Sequence, residues 1–133
     1  MNIQEMATAL CEGVSITICV LNNKSLGMVR QFQTMFYGKR YEATDLNYRR
    51  DIKGNLLPEK NDAAGYVPDL MKLAESYGAD GIRVTKPKEI EPALRQAKKN
   101  TKSSTIIEFM ISPDDLVYPM VKGGNPIGEM ILK

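Results

Sequence analysis

The order of apolar segments limits the possible folds of this chain more than any other feature of its sequence. Three short stretches are rich in β-branched and apolar residues, at positions 14–21, 80–85 and 104–112. The segments between them repeat apolar residues at helical spacing, so strands and helices alternate. Alternation of this kind predicts an α/β fold, with a parallel sheet, right-handed crossover connections and helices on both faces.

Local patterns define the expected elements. The first strand is apolar at nearly every position, which predicts burial on both faces. The helix that follows carries a stripe of large apolar side chains, Met28, Val29, Phe32, Met35 and Phe36, and we expect Met35 and Phe36 to pack in the core. The last helix is expected to bury Ile90, Ala93, Leu94 and Ala97. The predicted helices are 2–11, 25–37, 67–78 and 87–99.

Two segments show no sustained period. Residues 39–65 are polar and contain Gly54, Pro58 and Gly65, which predicts a long loop or insertion. Residues 113–133 are interrupted by prolines and glycines, and we expect them to form a tail that packs over a sheet edge or a partner. With 133 residues, the chain is most simply one domain with a real core.

Composition excludes several functional classes. The net charge is +2 with interleaved signs, which does not indicate a nucleic-acid or membrane surface. Histidine is absent, so Ser-His-Asp and Cys-His nucleophiles and histidine-based zinc sites are excluded. We expect Cys11 and Cys19 to be buried thiols in a reducing, cytoplasmic setting, and Lys24 and Arg30 to be solvated surface charges.

Two adjacent amides, Asn22 and Asn23, follow the first strand directly. In an open α/β sheet, ligands bind beyond the carboxyl ends of the strands. The amides suit a turn between strand and helix. They also suit a magnesium–phosphate site, because Mg²⁺ prefers oxygen ligands and a helix N-terminus favours phosphate. Residue chemistry alone leaves both interpretations open.

Longer motifs carry a resemblance. The stretches are MNIQEMATAL, ITICVLNNKSLGMVRQFQTMFYGKRY, PDLMKLAESYGADGIRVTKPKEIEPAL and VYPMVKGGNPIGEMI. In this order they resemble the C-terminal thiamine-diphosphate-binding domain of the acetolactate synthase (acetohydroxyacid synthase) large subunit. Residues 1–133 would then be the C-terminal part of that domain, with 47–65 as a loop or insertion and 113–133 as the tail.

The resemblance implies roles for individual residues. The Asn23 side chain and the Ser25 carbonyl would hold the Mg²⁺ ion of thiamine diphosphate. The cofactor would be bordered by Met1, Leu26, Gly27 and Met28, and Met28 and Phe32 would face the substrate. The family's motif opens with Gly-Asp-Gly, which the resemblance places a few residues before Met1. We therefore expect the anchoring aspartate to lie outside the chain, no catalytic residue within it, and no synthase activity from it alone.

The implied reaction is the condensation of pyruvate with a second 2-keto acid, pyruvate or 2-ketobutyrate. The resemblance further implies a homo-oligomer of large subunits, a regulatory small subunit, and FAD that this segment does not bind. Phe32 stands where the family usually has tryptophan, which we expect to loosen the pocket for 2-ketobutyrate. Two alternatives remain: a non-catalytic association module, and a related thiamine-diphosphate-dependent decarboxylase, oxidase or carboligase.

Overall fold

Helices and strands alternate along the chain, as its sequence predicts. The structure, a computed structural model, describes residues 2–46, 49–57 and 68–133. The helices are α1 (Glu5–Cys11), α2 (Gly27–Phe36), α3 (Leu70–Tyr77) and α4 (Ile90–Lys99), and the strands are β1 (Thr17–Asn22), β2 (Arg49–Arg50), β3 (Leu56–Leu57), β4 (Asp80–Val84) and β5 (Thr105–Met110). Within the described ranges, no helix is long and apolar enough to cross a membrane.

The main sheet has three parallel strands in the order β1-β5-β4. Strand β5 is central and is its most buried element, with every residue from Thr105 to Glu108 buried. Glu108 lies opposite Val20 of β1 and Arg83 of β4. The predicted α/β class, with a parallel sheet between helices, is confirmed.

One face of the sheet packs against α1 and α3. Its centre is a cluster of buried side chains: Met6, Ala74, Ala79 and Ile106. A β-carbon at Gly81 would lie 3.1 Å from the Met71 sulfur and 3.4 Å from the Ala74 β-carbon. The absence of a side chain at Gly81 therefore lets α3 lie close to the sheet.

The opposite face of the sheet is covered by α4. Ala93 and Ala97 are buried against Val84 and Ile107, and their small side chains allow a close approach. Two other predicted core residues of this helix, Ile90 and Leu94, are 40% and 44% exposed. The prediction is wrong for these two because they flank the alanine stripe that faces the sheet.

Strand β1 is covered on one face only. Ile18 and Val20 pack towards α1 and α3, whereas Thr17, Cys19 and Leu21 are exposed. The expected burial on both faces is wrong, because α4 packs over β4 and β5 on the second side. The expected burial of the thiols is also wrong: Cys19 faces outward on this strand, and Cys11 is exposed at the end of α1.

Part of the expected loop at 39–65 has regular structure. Strands β2 and β3 pair antiparallel, with Arg49 opposite Leu57 and Arg50 opposite Leu56. The turn between them is held by Asp51, whose carboxylate accepts hydrogen bonds from Asn55 and Lys53. The bonds from Asn55 come first among the causes that lower the Asp51 pKa. Residues 47, 48 and 58–65 of the predicted insertion lie outside the described residues.

Removing the side chain at the centre of the sheet should destabilise the fold strongly. Ile107 is fully buried between β1, β4 and α4, so Ile107→Ala is expected to lower the free energy of unfolding by about 2–5 kcal/mol. The matched control is Ile52→Ala, because Ile52 is fully exposed, and its effect should stay within about 0.5 kcal/mol. Urea titration followed by circular dichroism measures both. Equal losses from the two substitutions would contradict this packing.

Candidate functional site

The two amides at the end of β1 form the turn into α2. Asn22 Oδ1 accepts a hydrogen bond from the Lys24 N–H at 2.8 Å, and Asn23 Oδ1 accepts one from the Ser25 N–H at 3.0 Å. Lys24, between them, has a φ of 54°. These are two overlapping Asx turns, so the turn interpretation of the amides is confirmed. Each amide oxygen has two lone pairs, and the turn uses one of them.

Asn22 is anchored in the sheet by a buried carboxylate. Asn22 Nδ2 donates to Glu108 Oε1 at 2.6 Å, and Arg83 Nε donates to Glu108 Oε2 at 2.7 Å. Arg83 Nη2 also pairs with Asp69 Oδ1 at 3.0 Å. Asp69 is the N-cap of α3 and accepts from the Met71 N–H. These four side chains, Asn22, Glu108, Arg83 and Asp69, form what we call the Glu108 network.

Opposing effects set the ionisation of the Glu108 network. Burial lowers the pKa of Arg83, but the hydrogen bond and charge of Glu108, together with Asp69, outweigh burial and raise it. Burial raises the pKa of Asp69, yet the Met71 N–H bond and the Arg83 charge leave it below its ordinary value. Arg83 and Asp69 are therefore both charged at neutral pH. Glu108 and Arg83 were not predicted from the sequence, although each is a charged residue with apolar neighbours on both sides in its strand.

The predicted cofactor residues meet at the first turn of α2. A β-carbon at Gly27 would lie 2.7 Å from Asn23 Nδ2, so only glycine lets the Asn23 amide lie against the helix. Leu26 and Met28 beside it are 46% and 70% exposed. Among the described side chains none caps this helix, and its first N–H groups and dipole favour an anion there.

Arg30 joins this turn to the C-terminal tail. Its Nη1 pairs with Asp45 at 2.8 Å and its Nη2 with Asp114 at 2.9 Å, while the guanidinium lies 3.9 Å from the centre of the Tyr41 ring. Asp45 also accepts from the Ser25 hydroxyl at 3.3 Å. The Asp114 bond is the largest cause of a raised Arg30 pKa. The expected solvated position of Arg30 is therefore wrong, since its side chain is only 11% exposed.

The tail is held on α2 by a side-chain amide. Gln31 is buried, and its amide exchanges two hydrogen bonds with the Val117 backbone: Nε2 to the carbonyl at 2.7 Å, and the Val117 N–H to Oε1 at 2.9 Å. The Gln31 amide thus makes the same two hydrogen bonds with Val117 that a residue of a neighbouring β-strand would make. The tail therefore packs on the helix that follows β1.

The predicted substrate residues lie on the exposed side of α2. Met28 and Phe32, one turn apart, are 70% and 37% exposed, and the Phe32 and Phe36 rings lie 5.9 Å apart. Met35 and Phe36, the two residues expected in the core, are half-buried. Met28, Val29 and Phe32 are exposed, because α2 contacts the tail and the 41–46 loop. Phe32 lines two open cavities of about 580 and 340 Å³.

The structure brings together Asn23, Ser25, Leu26, Gly27 and Met28 in one turn, with Phe32 one helical turn beyond. Met1 lies outside the described residues. In the described part of the chain, no group of three or more His, Cys, Asp or Glu side chains is placed to hold a metal ion. The turn presents amide and backbone carbonyl oxygens, which are suitable Mg²⁺ donors.

A side chain at Gly27 should disturb the second Asx turn. Gly27→Ala favours the helix by up to about 1 kcal/mol, but its β-carbon displaces the Asn23 amide. We expect faster hydrogen exchange of the Ser25 amide, measured by NMR, with α2 retained. Gly128→Ala is the control, because a β-carbon there meets nothing within 4 Å. Unchanged protection of Ser25 would contradict the contact between Asn23 and Gly27.

The comparisons with known proteins agree with this geometry. The chain is 38% identical to the acetolactate synthase large subunit of Corynebacterium glutamicum over 122 residues, covering 92% of this chain and 17% of that protein. It is 36% identical to the Haemophilus influenzae acetolactate synthase large subunit, covering 99% of this chain and 20% of the relative. The resemblance to these large subunits is confirmed. The chain spans about a fifth of their length.

A solved structure shares the fold. The thiamine diphosphate-dependent 4-hydroxybenzoylformate decarboxylase of Rhodococcus jostii matches with a TM-score of 0.59 and 22% identity, over 84% of this chain and 17% of that one. Residues 1–109 match the family described as "Thiamine pyrophosphate enzyme, C-terminal TPP binding domain". This match covers most of the chain, including β1, the double Asx turn and α2. The chain therefore belongs to the thiamine pyrophosphate enzyme family, as a C-terminal TPP-binding domain.

Proposed function

We propose that the turn from Asn22 to Met28 binds the diphosphate of thiamine diphosphate through Mg²⁺, in an acetolactate synthase. That enzyme joins pyruvate to a second pyruvate or to 2-ketobutyrate and releases CO₂. The observation that supports this most is the double Asx turn between β1 and α2. It lies at the carboxyl edge of a parallel sheet, where such folds bind their ligands.

The proposed metal ligands are the Asn23 side-chain oxygen and the Ser25 carbonyl. Both are neutral, hard oxygen donors of the kind that Mg²⁺ prefers, and the cofactor's diphosphate would supply further oxygen ligands. Asn23 suits this role because the turn occupies only one lone pair of its Oδ1. Asn22, which the Glu108 network holds, is its structural neighbour.

The first turn of α2 supplies the diphosphate contacts in this proposal. The Leu26 N–H donates to the Thr44 carbonyl at 2.8 Å, so the N–H groups of Gly27 and Met28 would donate to the phosphate oxygens, and the helix dipole would add a favourable field. Gly27 lets these groups approach the ligand closely. When bound, thiamine diphosphate supplies the carbanion stabilisation that decarboxylation requires. The residues of this chain bind and orient it.

Met28 and Phe32 are the proposed substrate contacts. They lie four residues apart, on one side of α2, and both are exposed. Met28 is nearer to the Asn23 amide and would border the reacting end of the cofactor, while Phe32 would contact the incoming 2-keto acid.

We propose that any FAD is bound by other residues than these, and that the protein acts in the cytoplasm.

The direct test is a titration of the 133-residue chain with thiamine diphosphate. Binding is expected with Mg²⁺ and not with EDTA. Asn23→Ala should lower the apparent Mg²⁺ affinity at least about tenfold, which corresponds to about 1.4 kcal/mol. Isothermal calorimetry measures the change. Asn125→Ala is the control, since Asn125 lies in the exposed tail. Equal affinities for the Asn23 variant and the unmodified chain would contradict the proposed ligand.

Phe32→Trp tests the substrate role in a full-length acetolactate synthase carrying this domain. A larger ring should narrow the pocket and raise the preference for 2-ketobutyrate over pyruvate by about tenfold or more, since one hydrophobic contact discriminates by about 1–3 kcal/mol, or roughly 10–200-fold. Competition between the two 2-keto acids, with both products quantified, measures the ratio. An unchanged ratio would refute the assignment of Phe32 to the substrate.

One observation favours a second role, in association between chains. Thr17, Cys19 and Leu21 form an exposed face on β1, with Leu21 69% exposed. Exposed apolar strand faces of this kind mark association surfaces. Copies of the large subunit, or a regulatory small subunit, are the partners in this proposal. Light scattering together with the cofactor titration separates the roles: oligomers that bind no thiamine diphosphate would favour an association module.

A further inference from the structure

We infer that Glu108 is a positioning residue for the Asn22–Asn23 turn, that it acts through the Asn22 amide, and that Arg83 fixes it in place. The inference concerns the turn itself and rests on the proposed function only for the ligand that the turn would hold. It follows from the placement of a fully buried carboxylate that bonds Asn22 with one oxygen and Arg83 with the other.

Glu108 is fully buried, and both of its oxygens have a partner. Oε1 accepts from Asn22 and Oε2 accepts from Arg83, at 2.6 and 2.7 Å. Besides Arg83 and Asn22, its neighbours on the same face of the sheet include the apolar side chains of Val20 and Ile106. A buried ion pair is weak support for stability, because apolar side chains of similar size often serve as well. Another role is therefore needed to account for a carboxylate at this position.

The carboxylate determines which way the Asn22 amide faces. Because Arg83 can only donate, the Glu108 carboxylate beside it accepts, and it then takes the NH₂ group of Asn22 as its second donor. The Asn22 oxygen must then face the opposite way, towards the Lys24 N–H. A flipped amide would place oxygen against oxygen at Glu108 and two donors together at Lys24.

This orientation reaches Asn23 through the backbone. The two Asx turns overlap, and Lys24 between them has a φ of 54°, a conformation that a lysine rarely adopts without local support. The hydrogen bond from the Lys24 N–H to the Asn22 oxygen closes a turn around Asn23. It therefore fixes the backbone conformation of Asn23 and the direction of its side chain. Glu108, on a strand 86 residues away from Asn22 in sequence, therefore fixes the geometry of the second turn.

The test replaces the carboxylate by an amide of the same shape. In Glu108→Gln, Oε1 still accepts from Arg83, but the new NH₂ group meets the NH₂ group of Asn22. We expect hydrogen exchange of the Lys24 and Ser25 amides to accelerate about tenfold, measured by NMR without any cofactor. Glu91→Gln is the control: this carboxylate also pairs with an arginine, Arg95, but on the exposed surface of α4.

A second variant reverses the polarity of the same hydrogen bond. In Asn22→Asp/Glu108→Gln, the aspartate accepts from the glutamine with one oxygen and from the Lys24 N–H with the other. Exchange at Lys24 and Ser25 should return to within about threefold of the unmodified chain. If the single variant accelerates exchange and the double variant does not restore it, the effect comes from the lost charge, and the inference is overturned.

Two further outcomes are decisive. Unchanged exchange at both amides in a folded Glu108→Gln protein overturns the inference. If that variant does not fold, Asn22→Ala replaces it: the Ser25 amide should still exchange faster, although its own acceptor, Asn23, is intact, and unchanged exchange there overturns the inference.

Cofactor binding adds an independent readout. The apparent Mg²⁺ affinity in the thiamine diphosphate titration should fall about tenfold in Glu108→Gln and recover in the double variant. If the unmodified chain binds no thiamine diphosphate, the proposed function fails, while the exchange rates still decide the role of Glu108.

Discussion

A carboxylate without solvent contact lies near the point where three parallel strands end, and the candidate site depends on its two hydrogen bonds. Through Arg83 the Glu108 carboxylate reaches the N-cap of α3, and through Asn22 it reaches the turn into α2. A single buried group thus links β1, β4 and β5 with the segment that follows β1. The turn is held by a buried hydrogen bond between Asn22 and Glu108, so its shape does not depend on solvent-exposed contacts alone.

Helix α2 is held differently from the other helices. The helices α1, α3 and α4 pack small and aliphatic side chains on the sheet, whereas the buried residue of α2 is a glutamine. Its contacts are polar and directional: Arg30 pairs with Asp45 and Asp114, and Gln31 pairs with the Val117 backbone. Polar contacts of this kind specify a position, and they leave Met28, Val29 and Phe32 of α2 exposed.

The sequence predicted the order of elements and the residues of the turn, because strand and helix periods and the Asn-Asn pair are local signals. It did not predict which faces are covered. The uniform apolar run of β1 resembles a strand buried on both sides, yet α4 packs over β4 and β5. The surroundings of Arg30 and Glu108 also could not be predicted from the sequence. Asp114, a partner of Arg30, lies 84 residues away from it, and Asn22, a partner of Glu108, lies 86 residues away.

Cys19 lies on the exposed face of β1, so its thiol is accessible to reagents in solution, although its apolar neighbours in the sequence suggest a buried position. A thiol on an exposed strand face can be reached by oxidants and alkylating reagents, unlike a thiol in a packed core. Cys19 lies three residues before Asn22, on the side of the strand that faces away from α1 and α3. Any surface that comes to cover this face would shield the sulfur, so the rate of its alkylation records whether β1 is covered.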